Sequence, residues 1–197
     1  MSPFFTTSSV LSTRPSWISE PPPPGAVEVV LDPGMAFGTG GHPTTSLCLA
    51  ALSDLLAARP GASVLDVGTG SGILAIAARK LGAGRVAAND DDPKAVEVAR
   101  ENAAANGADV EIALAPARTI DGTFDLVVAN ILANTLVALA PELAGKLAPG
   151  GVVLLSGILA PQEDEVRRAY VACGLSPLAG GDRREGEWSL VALERPA

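Results

Sequence analysis

The chain has 197 residues, of which 48% are hydrophobic, enough for one globular domain with a substantial core. Its 14 basic and 22 acidic residues give a net charge of −8, which disfavours a surface that follows nucleic-acid phosphates. No apolar run is long enough to span a membrane and residues 1–14 do not resemble a signal peptide, so a soluble cytoplasmic protein is expected. Cys48 and Cys173 lack the paired spacing of a zinc or dithiol site, and no metal site is predicted.

Residues 1–25 are rich in Ser, Thr and Pro, and we expect an arm or linker without regular elements, followed by one domain over residues 26–197. In that domain short apolar runs alternate with helical patterns. The predicted strands are 27–31, 63–67, 86–89, 110–114, 124–129 and 152–155, and the predicted helices are 43–58, 71–81, 93–106, 134–147 and 161–173. This alternation predicts βαβ units around a mostly parallel α/β sheet. Residues 175–178 and 188–193 flank a glycine-rich loop and predict a C-terminal antiparallel hairpin.

A glycine loop, Gly38-Thr39-Gly40-Gly41, joins the first predicted strand of the domain to the first helix. Such a turn offers free backbone N–H groups to a small anionic or zwitterionic ligand, and a flexible connector is the alternative. Thr45 opens the helix beside this loop, where its hydroxyl or N–H could contact a ligand. His42 is the only histidine, and its position before Pro43 favours support of the loop over proton transfer.

A second glycine loop, Asp66-Val-Gly68-Thr-Gly70-Ser-Gly72, also joins a strand to a helix. Its third glycine comes one place earlier than in the dinucleotide fingerprint G-x-G-x-x-G. The spacing resembles the loop that holds the amino-acid end of S-adenosylmethionine in methyltransferases, and Asp66 suits the positive ammonium of that ligand better than a phosphate. The alternative is a tight turn whose glycines serve packing.

Asp90 lies 22 residues after Gly68, at the end of the next predicted strand. A carboxylate at this place can accept hydrogen bonds from both ribose hydroxyls of a nucleoside. Asp91 is the candidate to flank the adenine, and Asp92 before Pro93 is expected to cap the next helix. A solvated acidic turn is the alternative for the whole triplet.

Asn130 follows the apolar run 124–129, where a polar side chain would face the ligand crevice of a parallel sheet. Enzymes that methylate adenine amines or a glutamine amide have Asn-Pro-Pro-Tyr or a related motif here, and Ile131-Leu132 replaces the prolines, which disfavours those substrates. Asn130 or Asn134 could instead cap the next helix. No side chain stands out as a dedicated base, so no catalytic acid or base is assigned.

Leu31–Thr45, Leu65–Ala77 and Val128–Leu132 together resemble the PrmA family, the bacterial methyltransferases of large-subunit ribosomal protein eleven. The resemblance implies a Rossmann-like class I methyltransferase with a mostly parallel seven-stranded sheet and a C-terminal antiparallel hairpin. In that family the positions of Thr45, Gly68, Asp90 and Asn130 bind S-adenosylmethionine. The loop matching Phe37, Gly38, Thr39 and Gly40 closes over that cofactor.

The resemblance also implies the reaction, because the family methylates lysine side chains and the N-terminal amine of a basic ribosomal protein. Family members carry a separate N-terminal recognition domain, and this chain begins close to the linker that follows it, so that domain is expected to be absent. The acceptor therefore stays open at this point. A small-molecule or RNA methyltransferase, or a cofactor-binding remnant that needs a partner domain, are the alternatives.

Overall fold

The computed structural model describes residues 5–6, 11–14, 27–31 and 41–197. Within these residues the α-helices are α1 Pro43–Ala58, α2 Ile73–Lys80, α3 Pro93–Ala105, α4 Ala133–Ala138, α5 Ala140–Gly145 and α6 Glu163–Ala172. The strands are β1 Phe5–Thr6, β2 Leu11–Arg14, β3 Val27–Val30, β4 Val64–Val67, β5 Val86–Asp90, β6 Glu111–Leu114, β7 Phe124–Asn130, β8 Leu147–Leu159, β9 Ser176–Pro177, β10 Arg183–Glu185 and β11 Trp188–Glu194.

The main sheet has eight strands, in the order β10-β11-β8-β7-β4-β5-β6, with β9 also paired to β11. The five strands β6, β5, β4, β7 and β8 are mutually parallel, whereas β9, β10 and β8 run antiparallel to β11. This arrangement confirms the predicted Rossmann-like class I architecture with an antiparallel C-terminal part. The carboxyl ends of the parallel strands, where such folds bind ligands, therefore share one edge.

Two predictions about individual elements are wrong, and a third is confirmed but incomplete. Residues 1–25 do contain regular structure, since β1 pairs with β2 and β2 runs parallel to β3, and the partner strand supplies the hydrogen bonds that the local composition did not indicate. The single helix 134–147 is two helices, because Pro141 occupies the first turn of α5 and cannot continue α4. The predicted strands 175–178 and 188–193 do pair, as β9 with β11, but β11 also forms a hairpin with β10 around Gly186, which has φ +60°. Strands β9 and β10 both pair with the edge of β11 that faces away from β8.

Two clusters of buried side chains hold the fold together, and both include residues of the strands. Helices α1 and α2 supply Leu52 and Ile76 to one cluster, and α4 and α6 supply Leu136 and Tyr170 to the other. All four residues of β4 are buried, as expected for a parallel strand covered on both faces. Cys48 belongs to the first cluster and packs as a small apolar residue. Across the described part of the chain, no helix combines the length and the apolar character that crossing a membrane requires.

Candidate functional site

The loop between β4 and α2 depends on glycine at three places. Gly68, Gly70 and Gly72 have φ of +69°, +54° and +84°, a region that other residues rarely adopt. A Cβ at Gly68 would lie 2.5 Å from Cγ2 of Ile131, and one at Gly72 would lie 3.3 Å from Ala99. The loop therefore passes close to both the β7–α4 turn and helix α3, and its conformation leaves the backbone open toward the carboxyl edge of the sheet.

Asp66 lies beneath this loop and is only 1% exposed. One carboxylate oxygen, Oδ2, accepts hydrogen bonds from Thr69 Oγ1 at 2.6 Å and from the backbone N–H of Ala75 at 3.1 Å. Burial raises the pKa of Asp66 to about 6, and the hydrogen bonds from Thr69 and Ala75 oppose that rise. The other oxygen, Oδ1, has no hydrogen-bond partner among the described residues. The side chain thus ties the loop to α2 and keeps one buried acceptor available.

Asp90 connects the end of β5 to the same loop. Its Oδ2 accepts the backbone N–H of Gly70 at 2.9 Å, and its Oδ1 accepts that of Asp92 at 3.0 Å. Asp92 in turn accepts the N–H of Lys94 at 2.8 Å, which confirms the predicted cap of α3. Each Asp90 oxygen keeps a lone pair for a further donor, because a carboxylate offers about four acceptor positions.

A cleft of about 430 Å³ opens at the carboxyl ends of β4, β5 and β6. Three of the predicted cofactor residues line it, namely Gly68, Asp90 and Asp91. Residues on the far wall were not predicted; they are Leu114, Ala115, Pro116, Ala117, Arg118, Thr135, Leu139 and Glu142. Of these residues, Leu114 to Arg118 could have been predicted from the sequence. They lie at the end of the strand beside β5, and parallel strands end at one edge of the sheet.

Two polar contacts position this far wall. Asn89 donates from Nδ2 to the carbonyl of Ala115 at 3.0 Å, which fixes the segment after β6 against β5. Glu142 of α5 accepts the backbone N–H of Arg118 at 2.6 Å. The wall is therefore built by residues from three separate elements.

Thr45 and Asn130 are 85 residues apart and meet at the end of β7. Asn130 donates from Nδ2 to Thr45 Oγ1 at 3.3 Å, and Thr45 is fully buried in the first turn of α1. This bond leaves Oδ1 of Asn130 as the acceptor that can meet another group. Two predicted cofactor residues are thus adjacent, although neither lies among the residues that line the cleft.

His42 caps α1, in agreement with the predicted structural role. Its Nδ1 lies 2.8 Å from Thr44 Oγ1 and accepts the backbone N–H of Thr44. The imidazole also packs edge-on against Trp188, with 4.9 Å between the ring centres. The helix that carries Thr45 is therefore anchored to β11 at its first residue.

A chain of side-chain amides links the cofactor loop to β3, and the sequence analysis did not identify it. Asn102 donates to the carbonyl of Ser71 at 2.8 Å, and Asn106 donates to the carbonyl of Asn102 at 2.8 Å. Asn106 also pairs with the backbone of Val30, accepting its N–H at 2.9 Å and donating to its carbonyl at 2.6 Å. Helix α3 therefore holds both the loop and the strand that precedes residue 32.

The remaining predicted cofactor residues, Phe37, Gly38, Thr39 and Gly40, lie outside the described residues. The part of the chain that the structure describes contains no group of His, Cys, Asp and Glu that could hold a metal ion. The candidate site consequently consists of the glycine loop, the Asp90 cleft and the Thr45–Asn130 pair.

Comparison with known proteins places the chain in a family. The family described as ribosomal protein L11 methyltransferase (PrmA) matches residues 3–195. The chain belongs to this family. The family member from Myxococcus xanthus is 52% identical over 182 residues, and that from Geobacter metallireducens is 54% identical over 184 residues. These matches cover 92% and 93% of this chain but only 62% and 60% of the relatives, so the chain spans about three fifths of their length.

Solved structures agree with the PrmA assignment. The crystal structure of ribosomal protein L11 methylase from Lactobacillus delbrueckii subsp. bulgaricus has a TM-score of 0.89 and 37% identity, and the match covers 98% of this chain and 99% of that one. A 16S rRNA N2 G1207 methyltransferase from T. thermophilus, solved with AdoMet and guanosine, has a TM-score of 0.64 at 24% identity, covering 81% of this chain and 45% of that one. The second likeness shows the shared fold.

Proposed function

We propose that this chain transfers a methyl group from S-adenosylmethionine to amines of ribosomal protein L11, on lysine side chains or the N-terminus. The observation that carries the proposal is the joining of the glycine loop to Asp90 at the mouth of the cleft, in a chain matched by the family over residues 3–195. A ribosomal protein as substrate supports a reaction in the cytoplasm.

The residues at the site fit S-adenosylmethionine. Asp90 would accept the ribose hydroxyls, and the backbone of Gly68 and Gly70 would meet the amino-acid end. Asp66 offers its buried Oδ1 to the ammonium, which would give that orphan acceptor a partner. Asp91 and the apolar segment from Leu114 to Ala117 would enclose the adenine on the far wall of the cleft. Carboxylates in this cleft also suit the positive charge of the ligand better than a phosphate.

The bound cofactor supplies a methyl group already activated on a sulfonium, so the protein has to orient the acceptor amine and exclude water. Orientation of two reactants in one site can contribute about 7–11 kcal/mol. The amine of lysine, with pKa about 10.4, needs roughly 4–5 kcal/mol to lose its proton at neutral pH. Oδ1 of Asn130 can accept an N–H of the amine and direct its lone pair, while removal of water lowers the pKa of the amine.

The test is incubation of the purified chain with tritiated S-adenosylmethionine and purified, unmethylated ribosomal protein L11. We expect label on lysine or N-terminal amines of L11, identified by mass spectrometry. In parallel, a whole ribosomal extract is offered as acceptor. Label in RNA or in small metabolites alone would contradict the proposed substrate, and cofactor binding without any transfer would show that the chain needs a further domain.

A further inference from the structure

Three large hydrophobic side chains are exposed among the described residues: Leu114 at 52%, Leu132 at 70% and Val171 at 45%. Leu114 lines the cleft, where a bound adenine would cover it. Val171 lies on α6, which contributes no residue to the cleft. Leu132 is the most exposed of the three, and it follows Asn130 by two residues at the carboxyl edge of the sheet.

The turn that carries Leu132 is held firmly by its neighbours. The backbone N–H of Ile131 donates to the carbonyl of Ser156 at 3.2 Å, and the carbonyl of Leu132 accepts from Leu136 at 3.0 Å. A Cβ at Gly157 would come within 2.2 Å of the Ile131 carbonyl, and one at Gly68 within 2.5 Å of its side chain. Leu132 is therefore displayed to solvent from a tightly packed backbone.

Consecutive residues of this turn lie in different surroundings. Asn130 bonds to Thr45, Ile131 lines the cleft, and Leu132 does not belong to the cleft lining. Two residues span at most about 7 Å, so Leu132 stays near the Asn130 amide. A cofactor in the cleft would leave this leucine uncovered and beside the amine that Asn130 directs.

We propose that Leu132 contacts the aliphatic stem of the acceptor amine and so selects acceptors of the lysine type. This inference rests on the proposed function. Lysine packs its four-carbon stem along apolar surface while its ammonium stays among polar groups, here the Asn130 amide. Amines without an aliphatic stem would make no such contact with Leu132.

The kinetic test compares wild type with Leu132→Ala and Leu132→Met in methyl transfer to L11 over a range of L11 concentrations. Leu132→Ala should raise KM for L11 about tenfold while kcat changes less than threefold, and Leu132→Met should restore most of the loss. Affinity for S-adenosylhomocysteine, measured by calorimetry, should stay unchanged. Val171→Ala is the matched control and should leave both quantities at wild-type values.

A second measurement does not depend on methyl transfer. Leucine methyl groups are labelled with ¹³C, the Leu132 signal is assigned from Leu132→Ala, and a peptide with one lysine is added to the protein holding S-adenosylhomocysteine. The Leu132 signal should shift, and norleucine in place of lysine should shift it less, because the Asn130 contact is lost. A shift without transfer to L11 would support the contact and contradict the proposed function.

Three results would overturn the inference and leave the proposed function intact. One is transfer to L11 with an unchanged KM in Leu132→Ala. Another is a Leu132 methyl signal that does not shift when the peptide is added, although the protein methylates L11. The third is a wild-type dimer that Leu132→Ala converts to a monomer in solution, which would assign the leucine to a contact between two copies.

Discussion

Asp90 has two roles that a single side chain can combine. Its carboxylate already accepts the backbone N–H groups of Gly70 and Asp92, and in the proposed function it also accepts the ribose hydroxyls. Replacing Asp90 with alanine should therefore loosen the glycine loop and remove the ribose contacts together. We expect the affinity for S-adenosylhomocysteine to fall by a factor of at least about 100, corresponding to roughly 2.7 kcal/mol, in calorimetry.

Asp109→Ala is a suitable control for this change, because Asp109 is an exposed carboxylate beyond α3 and outside the cleft. It alters the net charge by the same amount as Asp90→Ala. Equal affinity of Asp90→Ala and wild type, with both folded by circular dichroism, would disprove the ribose assignment.

The raised pKa of Asp66 predicts that the stability of the folded protein depends on pH. Its folded pKa of about 6 is above the ordinary value of 3.8, so the folded protein binds the proton more tightly than the unfolded chain. Stability from this group is present at low pH and is lost as pH rises through about 6. In Asp66→Asn the loss disappears, while the amide oxygen can still accept from Thr69 and Ala75.

Between pH 5 and pH 7 the free energy of unfolding of the wild type should therefore fall by about 1 kcal/mol relative to that of Asp66→Asn. The measurement is urea unfolding without cofactor. All other titrating groups are shared by the two proteins, and the comparison isolates Asp66. Parallel stability curves for the two proteins over this range would show that burial does not raise the pKa of Asp66 as described.

At the residue scale the sequence predicted the groups whose role is local. Asp92 before Pro93 caps its helix as predicted, because a cap depends on a few consecutive residues. His42 before Pro43, which was expected to support the glycine loop, caps α1. Asn102 and Glu142 were missed, since an amide or carboxylate inside a helix has no local signature for what it contacts. Their partners, Ser71 and Arg118, lie 31 and 24 residues away along the chain.

At the scale of elements, the β7–α4 turn packs so closely against strand β8 that position 157 requires a glycine. Gly157 has φ +83°, and a Cβ there would lie 2.2 Å from the Ile131 carbonyl, so alanine would both strain the backbone and displace the turn. Gly157→Ala should destabilise the protein by about 3 kcal/mol or more in urea unfolding. It should also reduce methyl transfer, because Asn130 precedes Ile131.

Gly174→Ala separates the two causes of that loss. Gly174 has φ +88° but nothing within 4 Å of its missing Cβ, so alanine there costs only the left-handed conformation, about 1–2 kcal/mol. If Gly157→Ala destabilised the protein no more than Gly174→Ala, the β7–α4 turn would not be closely packed against Gly157.

The errors of element prediction have different physical causes. The pairing of β2 depends on β3, a partner outside residues 1–25 whose local composition indicated a linker, and the break between α4 and α5 comes from Pro141. The parallel strands β4, β5 and β7 were predicted well because most of their residues are buried and read as apolar runs. The edge strand β6 was also predicted, although none of its residues is buried.

For the whole molecule, the net charge of −8 has a kinetic consequence under the proposed function together with the expectation, from the family resemblance, that the acceptor is basic. A negatively charged enzyme attracts a basic protein over a distance that salt shortens, with a screening length of about 10 Å at 0.1 M. Raising NaCl from 50 to 500 mM should lower kcat/KM for L11 about tenfold or more, measured in initial rates.

The affinity for S-adenosylhomocysteine, which carries no net charge, should change less than twofold over the same salt range. A kcat/KM for L11 that is independent of salt would contradict electrostatic attraction of a basic acceptor. It would leave the methyl-transfer chemistry itself untouched.

The sequence by itself determined the α/β alternation, the glycine loop between β4 and α2 and the place of Asp90, because these depend on patterns within a few tens of residues. Only the tertiary structure brought Thr45 to Asn130, built the far wall of the cleft from β6 and α5, and left Leu132 exposed beside them. Such features arise where separate elements pack against one another. Local sequence patterns indicate which elements form, and the packing of those elements decides which side chains meet.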